Sequence, residues 1–279
     1  MALFYFLYIC ISELVLNKNN VMEQQNTTQQ FPSEEVTLPS KGLLYPEGHP
    51  LRNGLIEMKY MTAKEEDILT NSNYINNGTV IDKLLKSLIV SPINFDDLLI
   101  GDKNAVLVAS RILGYGQEYS FKYKNPNTGD EEEVTVDLTE ANDKELDENL
   151  IIEGRNEFAF TLPVSKIAVT FKLLTHGDEL KISNELKGLK KISKTNTADL
   201  TTRMKHLITS VNGDRDIKTI REFVDGNFLA RDARALRQYV ADVMPDIDLT
   251  FDLTFSDGAS AEGVTIPIGP SFFWPESEI

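Results

Sequence analysis

Three pairs of neighbouring acids, Glu65-Glu66, Asp96-Asp97 and Asp178-Glu179, are where two carboxylates would divide general acid and general base work. Each pair stands where a helix is predicted to begin. The positive end of the helix dipole already accounts for acid there, so the pattern favours capping over catalysis. Arg231, Arg234 and Arg237 recur at a spacing of three on a predicted helix. Such a row suits an anion or an acidic partner, although a solvated face, or pairing with Asp232 and Asp242, satisfies the same spacing. No glycine-rich phosphate loop, nucleophile elbow or His-Glu-x-x-His motif occurs. The one cysteine, Cys10, excludes an internal disulfide and a multi-cysteine zinc site. His49, His176 and His206 show no metal-ligand spacing. The residue types thus argue against an enzyme and lead us to expect no cofactor, no metal and no small-molecule substrate.

One further motif has a binding chemistry. Phe272-Phe273-Trp274-Pro275 is an aromatic triplet close to the last residue, Ile279. In an extended segment Phe272 and Trp274 share a face and close the hydrophobic core of the second half of the chain while Phe273 points away, which is the favoured reading. In the alternative, Phe273 and Trp274 form an exposed anchor for a partner, held extended by Pro267, Pro270 and Pro275.

The elements that carry these residues recur in order. Leu38-Pro39-Ser40-Lys41 leads into the strand Leu55–Met61 and then Thr62-Ala63-Lys64-Glu65-Glu66. Shifted by 113 residues, Met58–Thr62 falls on Phe171–Thr175 and Glu65-Glu66 on Asp178-Glu179. Leu85–Ile89 answers Met204–Ile208, and Asp102 and Ala105 answer Asp232 and Ala235 at an offset of 130. At that offset Tyr119, Phe121 and Tyr123 fall on Leu249, Phe251 and Leu253, and Val134 and Val136 on Val264 and Ile266. Both sets alternate with period two around turn-rich segments, so each predicts a β-hairpin. The expected fold is α+β, a tandem duplication of a strand–helices–hairpin unit. Its parts are an N-terminal extension (1–35), a first unit (36–138), an acidic linker (139–157) and a second unit (158–279). The period is that of duplicated domains, not of a solenoid.

Net charge is −15, which argues against nucleic acid or an anionic membrane as a general partner. The charge is uneven. Asp130–Glu157 holds twelve acids against Lys144 and Arg155, while Lys181–Arg221 holds ten Lys/Arg against four acids. A solvated linker and a solvated helical face explain this, and so would attraction between the two stretches, within a chain or between neighbours. The apolar run Met1–Leu16 lacks a basic leader and is broken by Glu13. It falls short of the roughly 20 residues that span a bilayer. Met22 precedes a polar run and is the expected start.

In sequence order, Leu-Pro-Ser-Lys-Gly-x-x-Tyr (38–45), Met61-Thr62-Ala63-x-Glu65-Glu66-Asp67, Gly101-Asp102 and Gly114-Tyr115-Gly116 resemble the T4-type bacteriophage base plate protein family. Leu162-Pro163, Phe171–Thr175, Asp232-x-Arg234-x-Leu236-Arg237, Ile266-Pro267 and Phe272–Pro275 extend the resemblance over about residues 36–275. It implies a component or assembly factor of the baseplate hub of a contractile-tailed phage, acting by contacts with other hub or tail proteins. A transient assembly chaperone absent from the mature virion is the alternative. The implied location is the host cytoplasm during assembly, then the tail baseplate. Relatives often carry Cys-x-x-Cys knuckles at the two hairpin tips, whereas the tips here read Asn125–Gly129 and Phe255–Gly258, so zinc is not expected.

Overall fold

Alternation in β2 (Leu55–Lys59) buries Ile56 and Met58 on one face, and this strand pairs antiparallel with β1 (Ser33–Thr37). The structure, a computed structural model, describes residues 32–144, 147–192, 198–268 and 272–273. The expectations for Met1–Leu16 and Met22 lie outside them. Helices α1 (Ala63–Leu69), α2 (Ser72–Asn76) and α3 (Val80–Leu88) follow. α3 buries Leu84, Leu85 and Leu88 and delivers Ile89 to a bridge with Met58.

The helix expected to begin at Asp96-Asp97 is instead a single 3-10 turn, Phe95–Asp97, followed by extended Leu98 and Leu99. The reason is tertiary. The Leu99 amide donates to the Tyr45 hydroxyl at 3.1 Å, and the Ile100 amide donates to the Leu174 carbonyl at 3.2 Å. Helix α4 then runs Ile100–Tyr115 into the hairpin of β3 (Glu118–Lys124) and β4 (Glu131–Asp137).

The acidic stretch that follows is strapped down. Its β5 (Asn142–Asp143) pairs with β9 (Ile247–Asp248), and Gly154 donates to the Leu43 carbonyl. Next come β6 (Phe158–Thr161) and β7 (Ala168–Phe171), which share a three-stranded antiparallel sheet with β8 (Ile208–Val211). Helices α5 (His176–Ile192) and α6 (Asp199–Leu207) lie between β7 and β8 in the chain. Helix α7 (Ile217–Glu222) continues as a π-helical turn, Phe223–Asn227, and α8 spans Ala230–Val243. The hairpin of β10 (Thr250–Thr254) and β11 (Ser260–Thr265) closes the order. The class is α+β, and one hydrophobic cluster runs through it from Leu38 to Phe273.

Like positions recur along the two halves. Leu38 and Leu162 are both buried before a proline, and Lys41 and Lys166 both take positive φ, at 50° and 60°. The Lys41 amide returns to the Leu38 carbonyl, as the Lys166 amide does to Leu162. Met58 bridges Ile89 after α3, and Phe171 pairs Ile208 after α6. Phe121 faces Val134 across one hairpin, and Phe251 faces Val264 across the other.

Candidate functional site

α8 turns Ala233, Leu236 and Val243 into the core because they follow a helical period. The same period sends Arg231, Arg234 and Arg237 outward, and all three are exposed. The acids that sequence spacing offers them are taken elsewhere. Asp232 is fully buried and accepts the Val164 amide at 2.8 Å and the Ser165 amide at 3.0 Å. Burial pushes its carboxyl up, but those amides, with a smaller contribution from the charge of Arg231, outweigh it and hold Asp232 below the usual range. Asp242 accepts from Gln238. Among the described residues none of the three arginines makes an ion pair, and Arg237 donates only to the Ala233 carbonyl. The two hydrogen bonds to Asp232 also seat the Pro163 turn on the start of α8. That places exposed Val164 and Lys166, with exposed Leu229, near Arg231. An apolar and guanidinium-rich surface of this kind suits a protein partner carrying acids.

The C-terminal aromatics divide differently. Phe272 is fully buried and packs edge-on at 5.0 Å against Tyr119, which belongs to the first hairpin and not to the second half of the chain. The expectation that Phe273 points away is corrected. It is only 1% exposed and meets Phe272 edge-on at 5.3 Å. The pair forms a short turn rather than an extended strand, so side chains do not alternate there. Trp274 and Pro275 lie outside the described residues.

The paired carboxylates resolve into structural roles. Glu65 is fully buried and is met by Lys59 Nζ, Ser87 Oγ, and both the amide and hydroxyl of Thr62. Asp178 accepts Lys172 Nζ at 2.6 Å, and burial, which raises its carboxyl, is overcome by that ammonium. The Lys–Thr–acid spacing is thus the same at Lys59-Thr62-Glu65 and Lys172-Thr175-Asp178. Asp96 and Asp97 sit at the surface on their single turn.

Sequence reasoning assigned Asp102 no partner, because its donors are distant. Ser40 gives its amide and hydroxyl, and Tyr45 its hydroxyl, at 2.7–2.9 Å. Burial pushes the Asp102 carboxyl up, and these three donors only partly offset it. Asp232 likewise holds a turn after a buried Leu-Pro pair, at Val164-Ser165.

Among the described residues no group of three or more His, Cys, Asp or Glu is placed to hold a metal ion, and no helix is long and apolar enough to cross a membrane. His49 stacks on Tyr45, His206 meets Glu185, and His176 is buried against Phe95. A family model described as T4 bacteriophage base plate protein matches residues 32–274. No curated protein and no solved structure matches the chain.

Proposed function

This chain belongs to the T4 bacteriophage base plate protein family, and from that premise we propose that it is a non-enzymatic part of the baseplate hub of a contractile-tailed phage, or a factor that assembles the hub. The observation that carries the reading is the match over 32–274, nearly the whole described chain. A supporting one is the use made of buried acids: Glu65, Asp102, Asp178 and Asp232 each hold amides, hydroxyls or a lysine of the fold itself. Work is then done by contact with other hub or tail proteins, in the host cytoplasm during assembly and in the tail afterwards.

The surface we assign to that contact is the exposed row Arg231, Arg234 and Arg237, with Trp274 and Pro275 beyond the buried Phe272-Phe273 pair. We further infer that the two halves, 36–138 and 158–279, descend from one duplicated unit. The paired Lys–Thr–acid sites and the two buried aspartates that each anchor a Leu-Pro turn support this.

Infection with a phage encoding Arg231→Glu/Arg234→Glu tests the contact. The expected result is a stable, soluble protein and tails arrested before completion. Normal tails from this variant would refute the assigned surface. Quantifying the chain in purified particles separates the two roles: a fixed stoichiometry marks a component, and absence from particles alongside arrested tails marks a transient assembly chaperone.

A further inference from the structure

The oppositely charged stretches of this chain do not neutralise one another. Among the described residues, a single ion pair, Arg215 to Glu157 at 2.7 Å, joins 130–157 to 181–221. The acids of the first stretch pair with cations of the N-terminal half instead: Glu148 with Lys41 and Glu153 with Arg52. On β4, Glu131 and Glu133 lie opposite Lys124 and Lys122. That leaves Asp130, Glu140, Asp143 and Asp147 exposed and without an ion pair among the described residues, Asp143 feeling only the longer-range charge of Lys41.

The basic stretch is equally lopsided. Arg203, Lys205, Arg221 and His206 are committed to Glu179 and Asp199, Asp225 and Glu185. Lys187, Lys190 and Lys191 on α5 are exposed and have no such partner among the described residues. Lys190 and Lys191 lie in the last turn of α5, where the carbonyl end of the helix favours a cation. Lys187 stands before that turn, so the dipole does not account for it. Instead Lys187 and Lys190 rim a groove of about 300 Å³ between α5 and α6, floored by Ile182 and Leu186.

We propose that this groove is a docking site for a second copy of the same chain, which presents the acidic surface around Glu140 and Asp143 to Lys187 and Lys190. The charge complementarity is written into one sequence, left unsatisfied within the fold, and so becomes available between molecules. The contact proposed is head-to-tail, so in a dimer one copy keeps its groove free and the other its acidic surface. Two chains of net charge −15 repel at long range. Screening over about 8 Å at physiological salt removes most of that repulsion while leaving close pairs intact. The association is therefore reversible and fades at high salt.

Sedimentation velocity across a concentration series tests this with the full chain. At about 0.15 M salt the wild type should form dimers and longer species, and at about 0.5 M salt it should revert toward monomer. Lys187→Glu/Lys190→Glu and, separately, Glu140→Lys/Asp143→Lys should each weaken self-association by about tenfold or more, with unchanged thermal unfolding. Mixed in equal amounts, the two variants should recover association, since the native groove of one meets the native acidic surface of the other and the two reversed surfaces are complementary in turn. A wild type monomeric at every concentration and salt would overturn the proposal, as would self-association that neither variant moves. If both variants unfold at lower temperature, Lys187→Gln/Lys190→Gln replaces the first, and undiminished association of that pair is equally fatal.

Discussion

Glu65 has four donors and no solvent, and its carboxyl is lowered from its usual value to about 2. Burial alone would raise it; Lys59, Thr62 and Ser87 overcome that cost. A folded-state pKa below the unfolded one means stability that is complete above the unfolded value and lost as pH falls through the folded one. Glu65 should therefore contribute about 3 kcal/mol at neutral pH, a contribution that declines from about pH 5 toward about pH 2. Urea unfolding at several pH values checks this. Glu65→Gln should be less stable at pH 7 and show a flatter loss of stability on acidification; an unchanged acid limb would mean another carboxylate controls it. Phe273 supplies a second residue-scale outcome. Phe273→Ala should cost about 3–5 kcal/mol by leaving a cavity beside Phe272 and lower the unfolding temperature accordingly. A Phe273 that served a partner instead would leave unfolding untouched and weaken only assembly.

Helix α4 is fixed at one end by a glycine. A Cβ built on Gly101 would lie 1.7 Å from the Pro245 carbonyl oxygen, closer than any tolerated contact. Gly101→Ala should push α4 from the segment that leads into β9 and destabilise the protein by more than an exposed helix glycine gains on becoming alanine. Differential scanning calorimetry reads it, and a stabilised variant would contradict the close approach. At the far ends of the two hairpins the tips meet. Asn127 Nδ2 reaches Asp257 at 3.2 Å, and Ser256 gives its hydroxyl to Glu132 at 2.8 Å. Asn125 donates to Glu132 as well, so one carboxylate ties both tips. Glu132→Ala should speed amide exchange at Ser256 and around Asn125 while leaving exchange in α4 and α8 unchanged. Equal protection in the variant would show that each turn holds itself.

Two buried aspartates serve as polar anchors, and both join distant parts of the chain. Asp102 ties α4 to the Leu38–Tyr45 turn, and Asp232 ties α8 to the Leu162–Lys166 turn. Removing either carboxylate strands its donors in the interior, so Asp102→Ala and Asp232→Ala should each cost about 3 kcal/mol or more. Equivalent chevrons for the two variants are the expected signature of equivalent anchors, and a large loss in only one would mark the halves as energetically unlike. The family membership of the chain gives these halves a baseplate context, and the exposed cations on α5 and α8 give them outward chemistry.

Local pattern was enough for the α+β class, both hairpins and the Thr62 helix start. Each of these depends on neighbours within a few residues, or on periodicity, which a linear string preserves. The base plate resemblance was legible for the same reason, as short motifs in fixed order. Tertiary structure alone decided what distant atoms meet. It extended Leu98 and Leu99 because the His176 amide donates to the Leu98 carbonyl and Tyr45 accepts the Leu99 amide, and it strapped the acidic stretch to β9 and Leu43. It turned Phe273 inward beside Phe272. It also gave Asp232 to two backbone amides rather than to the arginines next to it in sequence. Burial makes an amide without an acceptor costlier than a solvated guanidinium without an acid, so the carboxylate went to the interior and the arginines stayed in solvent.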